Sequence, residues 1–556
     1  MPKNFFGRKK DCFMDFNFIR KWVVGYLVMI MVLSCSTKEK NVLGVVSSAT
    51  PEASKVGEQI LKMGGNSFDA AVAVSFALAV TEPAMSGLGG GTQILLSTKN
   101  QTPVAINGTT FSPRGTLVDS QDTLSYHRRS TVPSTVKVLD YLYRNYGSGN
   151  VSWEELLQPA IELAEKGYEV GPFRSKVYQK YGDRLKSSPF GTDLFLLQGE
   201  VPKSGQKIKQ QVLAKTLRRL ATHGADDFYK GEIANTIAED MQKNGGWISL
   251  KDLEEFPEPK VLEPLTIQYG EHRVYSQPPP CGGWTALLIL ELLEQKIQNQ
   301  EWDKNALIEA LYLGQNDRRL NPVTDLIEYD SLVETKLGKD HIEKLMEIGP
   351  DSIKVSEVQE KKTGETTHFS IVDNQGNAIA VTASINAYFG SLAASEKLGF
   401  LYNSYMDDFV FEKPEHPFAL RPNAMAYSSM SPTIVQKNAE NVLVIGSPGS
   451  SRIISTVAQL TAKWINQKDI TALISSNRIH VNRKRVYLEK KSDTLEINND
   501  LIKKYDLEFR VPDESLILKD GLNPYYGGVH AIAKEDSVWI GAADPRRDGL
   551  YITVFD

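Results

Sequence analysis

The stretch TGETTHFSIVDNQGNAIAVTAS, residues 363–384, decides the fold. From His368 onward it alternates apolar and polar side chains, turns at Asp373-Asn374-Gln375-Gly376-Asn377, and alternates again, which is the pattern of a β-hairpin. Thr366 and Thr367 stand at its start. Before them runs KLGKDHIEKLMEIGPDSIKVSEVQEKKTGE, residues 336–365, charged and poor in large apolar side chains, so an exposed or mobile connection is expected there. A threonine pair opening a strand is accounted for by β-propensity alone. A second reading is chemical. A threonine hydroxyl is a weak nucleophile unless a base lies beside it, and the residue's own α-amine serves once the preceding peptide bond is cut. An exposed run ending at Glu365, then Thr366 on a core strand, is the arrangement such a cut requires.

Working outward, residues 51–96 read as a helix, a Gly-Gly-Asn stop, an alanine-rich helix (DAAVAVSFALAV), and a glycine turn into a strand. The turn Gly87 to Gly91 follows a helix and lacks both GxGxxG spacing and a following Lys-Ser/Thr, which argues against a nucleotide loop. Residues 151–245 are mostly helical in pattern. Residues 264–295 read as two strands, a Pro/Gly loop holding Cys281, and a buried helix; with no histidine nearby in sequence, Cys281 is read as structural. GSPGSSRIISTVAQLTAKWI, residues 446–465, reads as a tight turn feeding a helix whose N-terminus directs backbone N–H groups outward. It does not match G-x-S-x-G, so a nucleophile elbow is excluded; the stretch suits an oxyanion hole, but taken alone it is better read as a capped helix. Short-turn hairpins with interspersed helices give an α/β or α+β fold with antiparallel pairing.

The chain of 556 residues carries 63 basic and 68 acidic side chains, a net charge of −5, so no nucleic-acid footprint is present. Three cysteines, no CxxC pair and no HExxH exclude a disulfide framework and give no reason to expect a metal. At the start, Arg20-Lys21 precede WVVGYLVMIMVL, residues 22–33, an apolar run too short to span a bilayer comfortably. That is the layout of a secretory signal, and the Val-Leu-Ser-Cys that follows resembles a bacterial lipobox. Residues 1–34 are therefore expected to be a leader and Cys35 a lipid-modified anchor, placing the protein in the bacterial cell envelope with a lipid as its contact to membrane; a plain signal peptide with an incidental cysteine is the alternative. Met14 is a plausible initiator.

TTHFSIVDNQGNAIAVTASIN closely resembles the start of the small subunit in the γ-glutamyltranspeptidase family of N-terminal-nucleophile hydrolases. GGNSFDAAVAV, SGLGGGTQILL, LLQPAIELAEKGYEV, PPPCGGWTALLILELL, YNSYMDDF, SSMSPTIV, GSPGSSRIISTV and GAADPR follow in family order, from about Val42 to the C-terminus. The resemblance implies an α+β fold, the four-layer αββα sandwich, built from two interleaved subunits. It also implies self-cleavage between Glu365 and Thr366 into a large subunit, residues 36–365, and a small one, residues 366–556. Thr366 would be nucleophile and, through its amine, base, with no cofactor. Ser384 stands where the family has a threonine that positions the nucleophile; Gly449 and Ser450 match the two-glycine oxyanion hole. Ser450 keeps the donor provided no positive φ is needed. Asn386 and Asp408 match positions that hold the substrate's α-amino group, and Ser428 and Ser429 those that hold its α-carboxylate. The substrate implied is a small γ-glutamyl compound such as glutathione.

Two positions depart from the family. Thr109 stands where an arginine usually pairs with the α-carboxylate, Arg114 reaching in only if its loop runs differently, and Tyr405 replaces a polar residue near the α-amine. These favour a related acylase as the competing reading, with a non-catalytic glutamyl-peptide-binding lipoprotein as the third. The stretch between Phe409 and Ser428 is shorter than in members with an extended lid loop, so an open cleft is expected.

Overall fold

The computed structural model describes residues 41–116, 124–297, 302–323, 329–347, 365–411, 413–518 and 521–556. The leader, Met14, Cys35 and most of the charged run before Glu365 lie outside these residues. Residues 43–554 form one unit and residues 1–42 with 555–556 a second; the layered core belongs to the first.

Among the described residues, thirteen strands build the two large sheets. In chain order they are β1 (Val42–Ser48), β2 (Gly91–Ser97), β3 (Val104–Gly108), β4 (Lys260–Leu262), β5 (Leu265–Tyr269), β6 (His272–Ser276), β7 (Glu365–Asp373), β8 (Ala378–Asn386), β9 (Thr433–Lys437), β10 (Glu440–Ile445), β11 (His530–Glu535), β12 (Val538–Ala543) and β13 (Leu550–Phe555). One sheet has seven strands in the order β13-β1-β7-β8-β2-β3-β4, the other six in the order β12-β11-β10-β9-β6-β5. The predicted hairpin is β7–β8, antiparallel with Ile379 opposite Ile371 and Val381 opposite Phe369.

Strand periodicity divides the core into layers. Val45, Leu95, Val372 and Ala380 of the first sheet meet Tyr275, Ile434, Val444 and Ile532 of the second, forming the layer between sheets. Their neighbours along the chain, Val46, Ile94, Ile371 and Ile379, face the other way into a helical layer. That layer includes α1 (Pro51–Lys62) and α2 (Ser67–Thr81). Val435, Leu443 and Ile445 face the opposite helical layer of α3 (Gly283–Lys296), α4 (Lys304–Leu320) and α5 (Arg452–Gln467). Alternation at period two thus buries both faces of both sheets, the four-layer αββα arrangement expected. Every residue of α2 is buried, and its alanines permit close packing under the sheet. Asn66 starts it with a capping box, accepting from the Phe68 and Asp69 N–H groups.

Strands from before and after residue 366 are interleaved, β1 lying between β13 and β7, so neither segment forms a layer by itself. Part of the charged run differs from expectation. Residues Lys339–Glu347 are helical, burying Ile342 and Leu345 at i, i+3 spacing, and Lys336 is buried against the Asp317 carboxylate at 3.1 Å. Two apolar residues and one compensated charge suffice where a neighbouring core offers the surface.

Candidate active site

The hairpin delivers Thr366 and Ser384 to one place. Pairing runs regularly to Ala383 opposite Thr367 and resumes at Asn386 opposite Glu365, so Ser384 and Ile385 oppose the single residue Thr366 in a β-bulge. The bulge turns the Ser384 hydroxyl onto the chain across from it, where it donates to the Glu365 carbonyl at 2.5 Å and accepts from the Asn386 N–H at 2.7 Å. That carbonyl belongs to the peptide bond preceding Thr366. On its other flank Ser384 pairs with Gly91, and a Cβ at Gly90 would lie 2.4 Å from the Ser384 carbonyl oxygen. The glycine turn is therefore a close backbone approach behind Ser384.

Glu365 is only 4% exposed despite its charge. Its carboxylate accepts from Arg452 at 3.1 Å and from Arg547 at 2.8 Å, and Arg547 also donates to the Thr366 carbonyl at 3.2 Å. Arg452 opens α5 and Arg547 follows β12, so two distant elements grip the residues on either side of one peptide bond. Arg547 is in turn coupled to Glu82, whose carboxyl burial pushes up to about 7 beside Arg547 and the Thr367 hydroxyl. Nothing in the local sequence around Glu82 or Arg547 signals this; only the fold joins them.

Gly449 and Ser450 precede α5, whose first turn is closed by N–H donation from Arg452 to the Gly449 carbonyl and from Ile453 to that of Ser450. Among the described residues no acceptor engages the Gly449 or Ser450 N–H, so both are available as oxyanion donors. The sequence proviso fails here, since Ser450 has φ +55° and Gly449 φ +124°. Ser450 keeps its donor in a left-handed conformation that disfavours a side chain.

Tyr405, buried at the start of the 3-10 turn Tyr405–Asp408, is coupled to Ser384 and Asp408; burial raises its hydroxyl above the ordinary tyrosine range. Asn386, also at positive φ, donates to the Ser404 carbonyl at 3.1 Å. Asn386 and Asp408 line a cavity of about 400 Å³ together with Arg129, Tyr126 and Asp407. Thr366 itself is 4% exposed and is not among the residues lining that cavity. Ser428 accepts from the Met430 N–H at 3.1 Å, and Ser429 from the Arg318 guanidinium at 3.0 Å.

Thr109 is locked in a polar cluster, accepting from Gln93 at 2.8 Å and donating to Asn107 at 2.7 Å. Arg114 does not reach in; its guanidinium pairs with Glu255 in an exposed setting and its N–H donates to Asp252. Cys281 is buried, and burial pushes its thiol up to about 12, which suits the structural reading. His368 holds Thr382 at 2.9 Å and Ser370 at 3.2 Å, with burial driving its pKa well below the usual range. It is a neutral packing residue: a Cβ at Gly446 would lie 2.2 Å from its ring.

These residues offer an acyl-transfer site: a polarised carbonyl before a threonine, two backbone donors, and a hydroxyl set further out. A family model described as Gamma-glutamyltranspeptidase matches residues 53–554. The chain is 36% identical over 463 residues to the glutathione hydrolase proenzyme of Escherichia coli (strain K12), covering 76% of this chain and 78% of the relative. It is 29% identical over 531 residues to the capsule biosynthesis protein CapD proenzyme of Bacillus anthracis, covering 93% and 92%. Among solved structures, cephalosporin acylase from Bacillus halodurans matches with TM-score 0.80 and 25% identity, over 92% of this chain and 96% of that one. With a family match across residues 53–554 and the sandwich in agreement with it, the chain belongs to the gamma-glutamyltranspeptidase family of enzymes.

Proposed function

We propose that the protein is a self-processing threonine amidohydrolase and transferase that cleaves γ-glutamyl amide bonds of glutathione-type substrates. The observation carrying this reading is the Ser384 hydroxyl on the Glu365 carbonyl, directly before Thr366. In maturation the Thr366 Oγ attacks the Glu365 carbonyl carbon, and negative charge gathers on the oxygen that Ser384 already contacts. The C–N bond breaks, the Thr366 nitrogen takes a proton, and water hydrolyses the resulting ester. The products are a segment ending at Glu365 and one beginning with the free amine of Thr366.

In turnover that amine takes the Thr366 hydroxyl proton as the oxygen attacks the γ-glutamyl carbonyl. Gly449 and Ser450 N–H groups receive the oxyanion; the leaving amine departs with the proton; water or an acceptor amine resolves the acyl-enzyme. Asn386 and Asp408 take the donor's α-amino group, and Ser428 and Ser429 its α-carboxylate. A leader over residues 1–34 and a lipid on Cys35 would hold the enzyme in the cell envelope.

A second reading keeps Thr366 and changes the acyl group. Thr109 and Tyr405 favour it, as does the likeness to a cephalosporin acylase. Purified residues 36–556, once self-cleaved, should release amine from a γ-glutamyl anilide. Activity confined to another amide would favour the acylase, and binding of glutamyl peptides with no turnover would favour a non-catalytic lipoprotein.

A further inference from the structure

We propose that Arg318 supplies the positive charge for the donor's α-carboxylate, replacing from a different element the arginine absent at Thr109. The proposal rests on the γ-glutamyl reading and names the residue that recognises the carboxylate.

The other cations near the site are engaged. Arg452 and Arg547 hold Glu365, Arg129 pairs with Asp407 through its Nε at 3.0 Å, and Arg114 pairs with Glu255 away from the site. Arg318 differs. It lies near the end of α4, is 4% exposed, and among the described residues forms no ion pair with a carboxylate. Its neighbour Asp317 is taken instead by Lys336 and His341. The guanidinium sits 4.4 Å from the Tyr427 ring centroid and donates to the Ser428 carbonyl at 2.8 Å and the Ser429 Oγ at 3.0 Å; its Nε is buried with no hydrogen-bond partner among the described residues. A buried guanidinium with no ion pair among the described residues and an unpartnered Nε is unfavourable unless an anion completes the site.

The serines in front of it are oriented as donors. Ser429 accepts from Arg318 and Ser428 accepts from Met430 N–H, so each hydroxyl retains its proton, and among the described residues neither donates it. Two O–H donors backed by a buried cation form a carboxylate receptor. The receptor adjoins the site, because Gln315, three residues before Arg318 on α4, donates to the Ser451 carbonyl next to Ser450 at 3.1 Å, and Asp408 interacts electrostatically with both Arg318 and Tyr405. Arg318 thus acts through its field and through Ser429 as a positioning residue. The sequence concealed it because α4 lies outside every segment that carries the nucleophile or the serines.

The test compares two donors on self-cleaved protein: γ-glutamyl-p-nitroanilide with a free α-carboxylate, and its α-carboxamide counterpart. Wild type should prefer the carboxylate. Arg318→Met should raise KM for the carboxylate donor by about 10- to 100-fold, the loss of one charge-assisted interaction, with kcat and the carboxamide reaction little changed. Arg318→Lys should recover part of the preference, and Arg114→Met, at an arginine paired with Glu255 away from the site, should leave it intact. Equal use of both donors by wild type, an unchanged preference in Arg318→Met, or its loss in Arg114→Met would overturn the assignment. Where Arg318→Met does not fold, as shown by failure to self-cleave, the wild-type preference and its reduction in Ser429→Ala decide. Turnover of neither donor by a self-cleaved wild type would instead remove the γ-glutamyl reading, and the assignment with it.

Discussion

Replacing Ser384 with alanine removes one hydroxyl, and its hydrogen bonds define what is lost. It donates at 2.5 Å to the carbonyl on which charge would gather during self-cleavage, and it accepts from the Asn386 N–H at 2.7 Å. Removing one preorganised donor to a developing oxyanion slows acyl transfer by about 10²- to 10³-fold. Leaving the Asn386 N–H unpaired in a largely buried bulge costs a further ~1–3 kcal/mol of stability, too little to unfold a domain of ordinary stability. Ser384→Ala should therefore accumulate as a soluble, uncut chain converting at least about 100-fold more slowly than wild type. Ser384→Thr, which keeps the hydroxyl, should convert within about an order of magnitude of it. The assay is conversion of freshly translated protein, followed on denaturing gels, with unfolding of the Thr366→Ala precursor with and without Ser384→Ala as the control for stability. Cleavage of Ser384→Ala at close to the wild-type rate would refute the assignment of Ser384 to the scissile carbonyl.

Glu365→Gln in the Thr366→Ala background should destabilise the precursor by about 3–5 kcal/mol, read from denaturant unfolding, because Arg452 and Arg547 lose the carboxylate they share. Ser450→Gly should stabilise by up to about 1 kcal/mol in the same measurement, the left-handed strain at φ +55° being partly offset by the added freedom of glycine in the unfolded chain. Glu82 has a folded pKa of about 7 against 4.5 unfolded, so its contribution is full below pH 4.5 and is lost as pH rises through 7. That is a loss of about 3 kcal/mol, and Glu82→Gln should flatten the decline between pH 5 and pH 8 in thermal unfolding of the precursor. Burial pushes the Asp544 carboxyl up, but Arg478 and Arg546 outweigh it and hold it at about 2, below 3.8 unfolded. Its stabilisation of about 2 kcal/mol is present above pH 4 and should disappear as pH falls through 2, which Asp544→Asn would remove from the acid limb.

The sheets were legible because their signal is local. Alternation in residues 368–384 sets both the β7–β8 hairpin and which side chains face each layer, and Thr366 stands out by its place at the strand start. Elements whose stability comes from a partner were not legible. Lys339–Glu347 offers only Ile342 and Leu345 to the core and reads as a solvated run until the buried Asp317 meets Lys336. The grip on Glu365 joins residues 87 and 182 positions apart, and no periodicity encodes such a meeting. Arg318 was hidden for the same reason. At Ser450 the residue type suggested an ordinary backbone, whereas the turn into α5 imposes a positive φ that a serine only tolerates.

Every role assigned to Thr366 depends on its cutting the chain before itself. Intact-mass and N-terminal analysis of purified residues 36–556, with the Thr366→Ala variant alongside, reads that cut at the bond concerned. Self-cleavage should give two fragments in equal amount for the wild type, one ending at Glu365 and one beginning at Thr366, and a single uncut chain for Thr366→Ala. A wild-type chain that stays whole, or a Thr366→Ala chain cut at the same bond, would contradict it.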